Sequence, residues 1–368
     1  MFFLDMKQIN IEKINNGTLD DAVLRDFVFS LTEDMKEKIF QRFYREKMNS
    51  ENKKFAEYLL VELVRTLLRM PPVTFYYVLK HEDDLRELLG LEKLKTIGNY
   101  EDFDRKRKYL KMHLNRIMKR NLKTEAGNFF VLNLTIGEAD VNKLRKGEAV
   151  KKGLIDPEFL HSMTKGTVVG FQVAYLINLS KLSFEKLKIY SKHAEKKRIW
   201  EEMVKDELGT KQGNIKSVLA DAGFFAYINY LDSARLRIIP VIKARSNCEE
   251  KLMEKLENCD SNLVWFGKKY RNQLEELLEE FEEILQKTMK WVKNYDDFKD
   301  LRGKIEHIFK AAKMIFGMDE MHVYYRKHCF WKAFIILYMS SLLCQFIDLH
   351  GINKNRAIPL LAQNRHFS

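Results

Sequence analysis

The segment SVLADAGF, from Ser217 to Phe224, decides the fold class of this chain. A short apolar run ends at Asp221, and Ala222-Gly223 follow it. A buried strand that ends in Asp-x-Gly presents its carboxylate at the strand's carboxyl edge, where open α/β sheets build their sites. The alternative is that Asp-x-Gly is ordinary turn chemistry. The segment therefore predicts an α/β fold with a candidate site residue at Asp221.

A second segment, RGKIEHIFKAAK, places three charged residues on one predicted helix. Arg302, Glu306 and Lys313 project within roughly 40° of one another at about 100° per residue. Apolar side chains form the adjacent face of the same helix: Ile305, Ile308, Ala312, Ile315 and Phe316. A carboxylate held between two cations suits metal and phosphate chemistry. The alternative is a ladder of ion pairs on a solvated helix.

The middle of the chain alternates between strand and helix patterns. The segment FFVLNLT (129–135) is an apolar, β-prone run that ends before Gly137. Two further strands are predicted after it, then a helix, the Asp221 strand, a helix and a strand that contains Pro240. The two further strands are predicted at 167–179 and 186–190, the two helices at 193–208 and 225–231, and the strand that contains Pro240 at 238–243. Proline cannot donate to a sheet ladder, so the last strand is predicted near an edge.

In this order, the segments resemble the DDE transposases of prokaryotic insertion sequences. That family carries Asp-x-Thr on a first strand, Asp-x-Gly-Tyr on a later strand, and Tyr-x2-Arg-x3-Glu-x6-Lys on a helix. Asp221-Ala222-Gly223-Phe224 resembles the second element, with Phe in place of Tyr. Arg302, Glu306 and Lys313 fall at the family's spacing, and Lys299 stands at its Tyr position. The resemblance covers roughly residues 126 to 345.

The resemblance implies an RNase H-like core, a mixed five-stranded sheet flanked by helices. It implies that Asp221 and Glu306 ligate Mg²⁺ or Mn²⁺, two ions in an active site, for phosphodiester hydrolysis and strand transfer. Arg302 and Lys313 would bind DNA phosphates. The implied partners are double-stranded DNA, at element ends and target, and a second copy of the chain in a homodimer.

The first acidic position departs from the family pattern, because the chain has Asn133-Leu134-Thr135 there. A neutral carboxamide offers one weaker oxygen ligand, whereas Mg²⁺ prefers anionic oxygens. Asp140 lies an odd number of residues from Asn133, so an uninterrupted strand would aim it at the opposite face. Asn133 therefore predicts either a transposase with a weakened or disabled site, or a catalytically dead DNA-binding remnant or domesticated transposase.

The first third of the chain is helical in pattern, and we expect an N-terminal all-α, DNA-binding domain at residues 1–125. A basic helix is predicted at 104–122, and a net charge of +12 favours a polyanionic partner such as nucleic acid. The alternative is a lysine-rich but merely solvated helix face. The candidate phosphate contacts on this helix are Arg105, Lys108, Lys119 and Arg120.

The remaining predictions concern domain limits and compartment. We expect the catalytic domain at 126–346, with a helical insertion at about 247–299 before the last catalytic helix, and a C-terminal tail at 347–368. The apolar stretch 330–347 is interrupted by Lys332 and predicts a core helix rather than a membrane span. The four cysteines lack zinc-site spacing, which predicts reduced thiols in a cytoplasmic protein.

Overall fold

The computed structural model describes most of the chain and divides it into two compact units. One unit comprises residues 1–125, 306–321 and 331–368, and the other comprises residues 126–305 and 322–330. The described residues are 10–43, 50–90, 99–121, 129–138, 158–162, 166–190, 194–209, 214–243, 248–257, 274–319, 321, 323 and 325–363.

Helices make up the greater part of the described chain. In chain order they are α1 (Ile11–Asn15), α2 (Asp21–Phe43), α3 (Ser50–Leu67), α4 (Pro72–His81), α5 (Asp83–Leu88), α6 (Tyr100–Asn121), α7 (Lys196–Trp200), α8 (Tyr227–Ala234), α9 (Glu249–Glu257), α10 (Leu274–Lys293), α11 (Lys299–Lys310), α12 (Arg326–Leu349) and α13 (Lys354–Gln363). Two of them, α7 and α11, run directly into π-helical turns, at Glu201–Lys205 and Ala311–Ile315. A last helical turn, Asp206–Leu208, follows the first of these.

The second unit is built on one mixed sheet. Its strands are β1 (Phe129–Glu138), β2 (Glu158–Ser162), β3 (Gly166–Asn178), β4 (Ser183–Tyr190), β5 (Lys216–Ala220) and β6 (Ile238–Ile242). The order is β2-β3-β1-β5-β6, and β4 also pairs with β3. β3 is antiparallel to β1, β2 and β4, whereas β5 is parallel to both β1 and β6.

This topology confirms the predicted α/β class with a mixed sheet and flanking helices. The five predicted strands are present as β1, β3, β4, β5 and β6. β2 is an additional short strand, and it pairs with the beginning of β3. Pro240 lies in β6, at the end of the strand order, as its missing N–H donor predicts.

The sheet is covered by helices that pack through large apolar side chains. Trp200 of α7 is fully buried, and its indole N–H donates to Ser233 Oγ of α8 at 3.0 Å. The ring centroid of Phe129, at the start of β1, lies 6.0 Å from those of Trp291 and Phe298. These contacts attach α7, α10 and the turn before α11 to the sheet unit.

The first unit has an all-helical core, and α12 contributes many of its buried apolar side chains. Among the described residues, α12 is the one helix long and apolar enough to cross a membrane, but 83% of its apolar window is buried inside the protein. Phe346 packs edge-on against Phe27 at 5.4 Å, and Tyr338 packs against Phe43 at 5.9 Å. The burial is that of a core helix, as the sequence predicts.

A buried carboxylate joins two helices of the first unit. Glu62 of α3 is 2% exposed and lies 2.7 Å from Arg65 Nη2 and 3.0 Å from Arg107 Nε of α6. Burial opposes ionisation of Glu62, but the two guanidinium groups outweigh it and lower the pKa of this carboxyl. The ion pairs therefore tie α3 to α6.

Candidate site at the carboxyl ends of β1 and β5

Asp221 follows directly after the last residue of β5. Its Oδ1 accepts a hydrogen bond from the Gly223 backbone N–H at 2.6 Å, and a single 3-10 turn, Ala222–Phe224, follows. The side chain is 42% exposed. Asp221 thus both ends a buried strand and caps a turn, so the two interpretations of Asp-x-Gly apply together.

The register of the parallel pair β1–β5 relates Asn133 to Asp221. Phe129 pairs with Ser217 and Val131 pairs with Leu219. Because side chains alternate with a period of two, extending this register by two residues sets Asn133 level with Asp221 on the same face. Neighbouring strands lie about 4.8 Å apart. The observed pairing ends at Val131 and Leu219, so the adjacency of Asn133 and Asp221 is an extension of the register by two residues.

The carboxamide of Asn133 is half-buried and already engaged. Its Oδ1 accepts from the Leu134 backbone N–H at 2.7 Å. Asn133 also lies opposite Tyr175 of β3 in the antiparallel ladder, so its backbone position is set by pairing with β3. Asp140 lies outside the described residues.

A lysine that the sequence analysis did not identify lies against Asp221. Lys196, the first residue of α7, places Nζ 3.2 Å from Asp221 Oδ1 and 5.1 Å from the Phe224 ring centroid. The same side chain crosses Gly223, where an added Cβ would overlap Nζ. In the sequence, only the glycine at position 223 indicates this contact, because a larger side chain there would overlap Lys196. Lys196 itself lies far upstream of Asp221.

Contacts with buried side chains stabilise the turn that carries Asp221. The Asn229 side-chain amide donates to the Phe224 carbonyl oxygen at 2.9 Å, and the Phe224 ring lies 6.2 Å from Trp200. Phe224 is 1% exposed. A tyrosine at this position would have to find a partner for a buried hydroxyl, which accounts physically for Phe where the family pattern has Tyr.

The other predicted site residues on the C-terminal helix belong to the first unit or have undescribed side chains. Glu306 of α11 is exposed, while Ile305, Ile308 and other residues of the predicted apolar flank are buried. The side chain of Arg302 lies outside what the structure describes. These positions agree with a helix that packs by one flank.

One premise of the helix prediction was wrong. The α-helix ends at Lys310, and the π-helical turn that follows changes the angular spacing between Glu306 and Lys313. Lys313 is exposed and its Nζ lies 3.5 Å from Asp319 Oδ1. The 100° rule therefore does not fix the direction of Lys313.

The candidate phosphate contacts on α6 are partly described. Arg105 pairs with Asp102, and Lys108 Nζ lies 2.8 Å from Asp104 Oδ2, and both cations are exposed. The side chains of Lys119 and Arg120 lie outside the described part of α6. Surface pairs of this kind are weak, so Arg105 and Lys108 can exchange their partners for phosphate.

A second charged cluster lies where β4 meets α7. Glu202 accepts from Tyr190 Oη at 2.6 Å, from Lys188 Nζ at 2.7 Å and from Arg198 Nε at 3.0 Å. Burial opposes ionisation, but these three donors lower the pKa of Glu202 to about 2. Glu202 lies in a π-helical turn, which no spacing rule predicts. The cluster joins β4 to α7.

The residues at the sheet edge do not by themselves form a two-metal site. Within the described ranges, no group of three or more His, Cys, Asp or Glu side chains is placed to hold a metal ion. Asp221 contributes one negative charge, Asn133 a neutral amide, and Lys196 a positive charge. Within the described residues, both hydrogen bonds of the Asp221 side chain end on Oδ1. The donor set at this edge suits one weakly held cation rather than two.

The fold is an α/β domain with a mixed sheet, and Asp221 follows directly after its parallel strand β5. Residues 160–342, just under half of the chain, match the family model described as "Transposase DDE domain", so this part of the chain is similar to a DDE-type transposase domain. The match includes Asp221 and Glu306 and begins after β1, so Asn133 lies outside it.

Two other comparisons were less informative. The cryo-EM structure of a piggyBac transposase synaptic complex with hairpin DNA aligns over 99% of this chain and 81% of that chain, with 10% identity and a TM-score of 0.35. Similarity at this level establishes no shared function. No curated protein matches the chain significantly.

Proposed function

We propose that this protein acts on the DNA ends of an insertion element as a DDE-type transposase, with Asp221 and Glu306 as its acidic metal ligands. One observation carries the proposal: Asp221 ends the parallel strand next to β1, inside a matched domain that also contains Glu306. Carboxyl edges of such strands are where open α/β sheets place their sites.

The chemistry is metal-dependent hydrolysis of a phosphodiester followed by strand transfer. A divalent ion held by Asp221 and Glu306 would activate the nucleophile and stabilise the leaving oxygen. The chain's own residues hold and orient the DNA. Arg302 can bind a phosphate through two parallel hydrogen bonds, and Lys313 acts as a point charge.

The basic helix α6 is the proposed contact to DNA outside the catalytic edge. Arg105 and Lys108, with Lys119 and Arg120, would each neutralise a phosphate and release counterions, so binding should weaken steeply with salt. We place the protein in the cytoplasm, where it meets double-stranded DNA at element ends and target as a homodimer.

A second candidate function is a DNA-binding remnant or domesticated transposase without catalysis. Two features of the sheet edge favour it: the neutral amide at Asn133 and the ammonium of Lys196 on Asp221. Both lower the negative charge available for divalent ions.

Cleavage of DNA that carries the element ends, measured with and without Mg²⁺ or Mn²⁺, tests both candidates. Activity in the wild type that is abolished in Glu306→Gln and Asp221→Asn supports the transposase. An inactive wild type with an active Asn133→Asp variant supports a remnant that has lost one ligand. Inactivity of both proteins, with salt-dependent DNA binding retained, supports the binding protein alone. Absence of DNA binding contradicts both candidates.

A further inference from the structure

We propose that Lys196 is an internal counterion of Asp221, and that its ammonium competes with a divalent ion for that carboxylate. The inference rests on the proposed role of Asp221 as a metal ligand. It assigns a positioning function to a residue that lies outside the motifs of the sequence.

The Lys196 side chain is held in place by three neighbours rather than by charge alone. Nζ lies 3.2 Å from Asp221 Oδ1 and 5.1 Å from the centroid of the Phe224 ring. The missing side chain of Gly223 leaves the space through which Lys196 reaches the carboxylate. Asp221, Gly223 and Phe224 belong to one short turn, so this turn forms the binding site for the Lys196 ammonium.

The Lys196 ammonium and a divalent ion would compete for the Asp221 carboxylate at the sheet edge. Both contacts of Asp221 use Oδ1, which receives the Gly223 N–H and the Lys196 ammonium. The Asn133 oxygen already accepts from Leu134, and an amide adds no negative charge. A divalent ion that binds Asp221 therefore meets a cation already present, and it must displace that cation or bear its repulsion.

The pair is accessible enough to exchange. The side chain of Lys196 is 36% exposed and that of Asp221 is 42% exposed. Water screens such a pair and can replace either partner, so the ammonium can leave when a competing cation arrives. The contact thus lowers metal affinity without abolishing it.

The test is Mn²⁺ binding to the full-length protein, followed by the loss of the free-ion electron paramagnetic resonance signal. The variants are Lys196→Met and, as a second substitution, Lys196→Gln. Lys197→Met is the matched control, since the next residue of α7 is exposed and the change removes the same charge. Removing one cation about 4 Å from a divalent ion should tighten binding about tenfold in the Lys196 variants and leave Lys197→Met close to wild type.

The Asp221→Asn variant separates this inference from the proposed function. If Asp221→Asn weakens Mn²⁺ binding while both Lys196 variants bind no tighter than Lys197→Met, the competition is refuted and the metal-ligand role survives. If Asp221→Asn leaves Mn²⁺ binding unchanged, Asp221 is not a ligand and both proposals fail. Tighter binding in both Lys196 variants, lost again when Asp221→Asn is added, supports the inference.

Discussion

Asn133 of β1 lies level with Asp221 at the end of β5, by extension of the parallel register that pairs Val131 with Leu219. The two residues come from distant parts of the chain and share one face of the sheet edge. An aspartate at position 133 would therefore place a second carboxylate next to the first. The substitution Asn133→Asp is thus a local test of what this edge can bind.

We expect Asn133→Asp to bind Mn²⁺ at least about tenfold more tightly than wild type, because it adds an anionic oxygen ligand beside Asp221. Without divalent ions, the two carboxylates repel each other and thermal stability should fall, and Mn²⁺ should restore it. Isothermal titration calorimetry and thermal unfolding measure the two effects. Asn133→Ala removes the amide without adding charge, and a similar gain in that variant would contradict the argument.

We expect the protein to lose folding stability in acid, because Glu202 is then protonated. Its folded-state pKa of about 2 lies below its ordinary value of 4.5, so its contribution is complete above pH 4.5 and is lost as the pH falls towards 2. A change of this size would correspond to about 3 kcal/mol of unfolding free energy in the absence of screening, and solvent around the exposed partners reduces it to roughly 1–2 kcal/mol. Glu202→Gln should lower the stability at pH 7 by about that amount and flatten its dependence between pH 5 and 3. Urea unfolding across this pH range measures both, and an unchanged slope would count against the cluster.

We expect substitution of Glu62 to destabilise the helical unit strongly. Glu62→Gln leaves Arg65 and Arg107 mostly buried without their counterion, and breaking a buried pair in this way should cost about 3 kcal/mol. The matched control is Asp84→Asn, which breaks the exposed pair with Arg25 and should cost less than about 1 kcal/mol. Equal losses in the two variants by urea unfolding would show that Glu62 is not a buried link between α3 and α6.

Two glycine-to-alanine substitutions should change the folding stability in opposite directions. A Cβ at Gly170 of β3 would overlap the backbone of Gly137 and contact Glu138 in β1, so Gly170→Ala should destabilise by roughly 1–3 kcal/mol. A Cβ at Gly303 inside α11 meets nothing within 4 Å, so Gly303→Ala should stabilise by about 0.5–1 kcal/mol. Thermal unfolding compares the two. Destabilisation by both changes would contradict the open environment of Gly303.

Sequence patterns predicted the sheet well because its strands are apolar and β-prone. The run at 129–135 and the strand before Asp221 carried enough hydrophobic pattern to place both. β2 (Glu158–Ser162) was not predicted because its sequence EFLHS has no apolar run, so its strand conformation depends on pairing with β3.

The candidate site was less predictable, for identifiable physical reasons. The motif spacing assumed an unbroken α-helix, and the π-helical turn from Ala311 depends on hydrogen bonding that residue types do not reveal. Lys196 reaches Asp221 through tertiary packing of α7 on the sheet, and its 25-residue separation carries no motif. The Tyr190–Glu202 contact likewise joins a strand to a helix.

The proposed function requires Asp221 to bind a divalent ion, and iron-directed backbone cleavage tests this requirement most directly. Fe²⁺ replaces the native ion in Asn133→Asp protein, and ascorbate with peroxide then cuts the chain next to the bound iron. We predict fragments that end near residues 133 and 221, both lost when Asp221→Asn is added. Absence of cuts near 221, or a pattern unaffected by Asp221→Asn, would contradict the account.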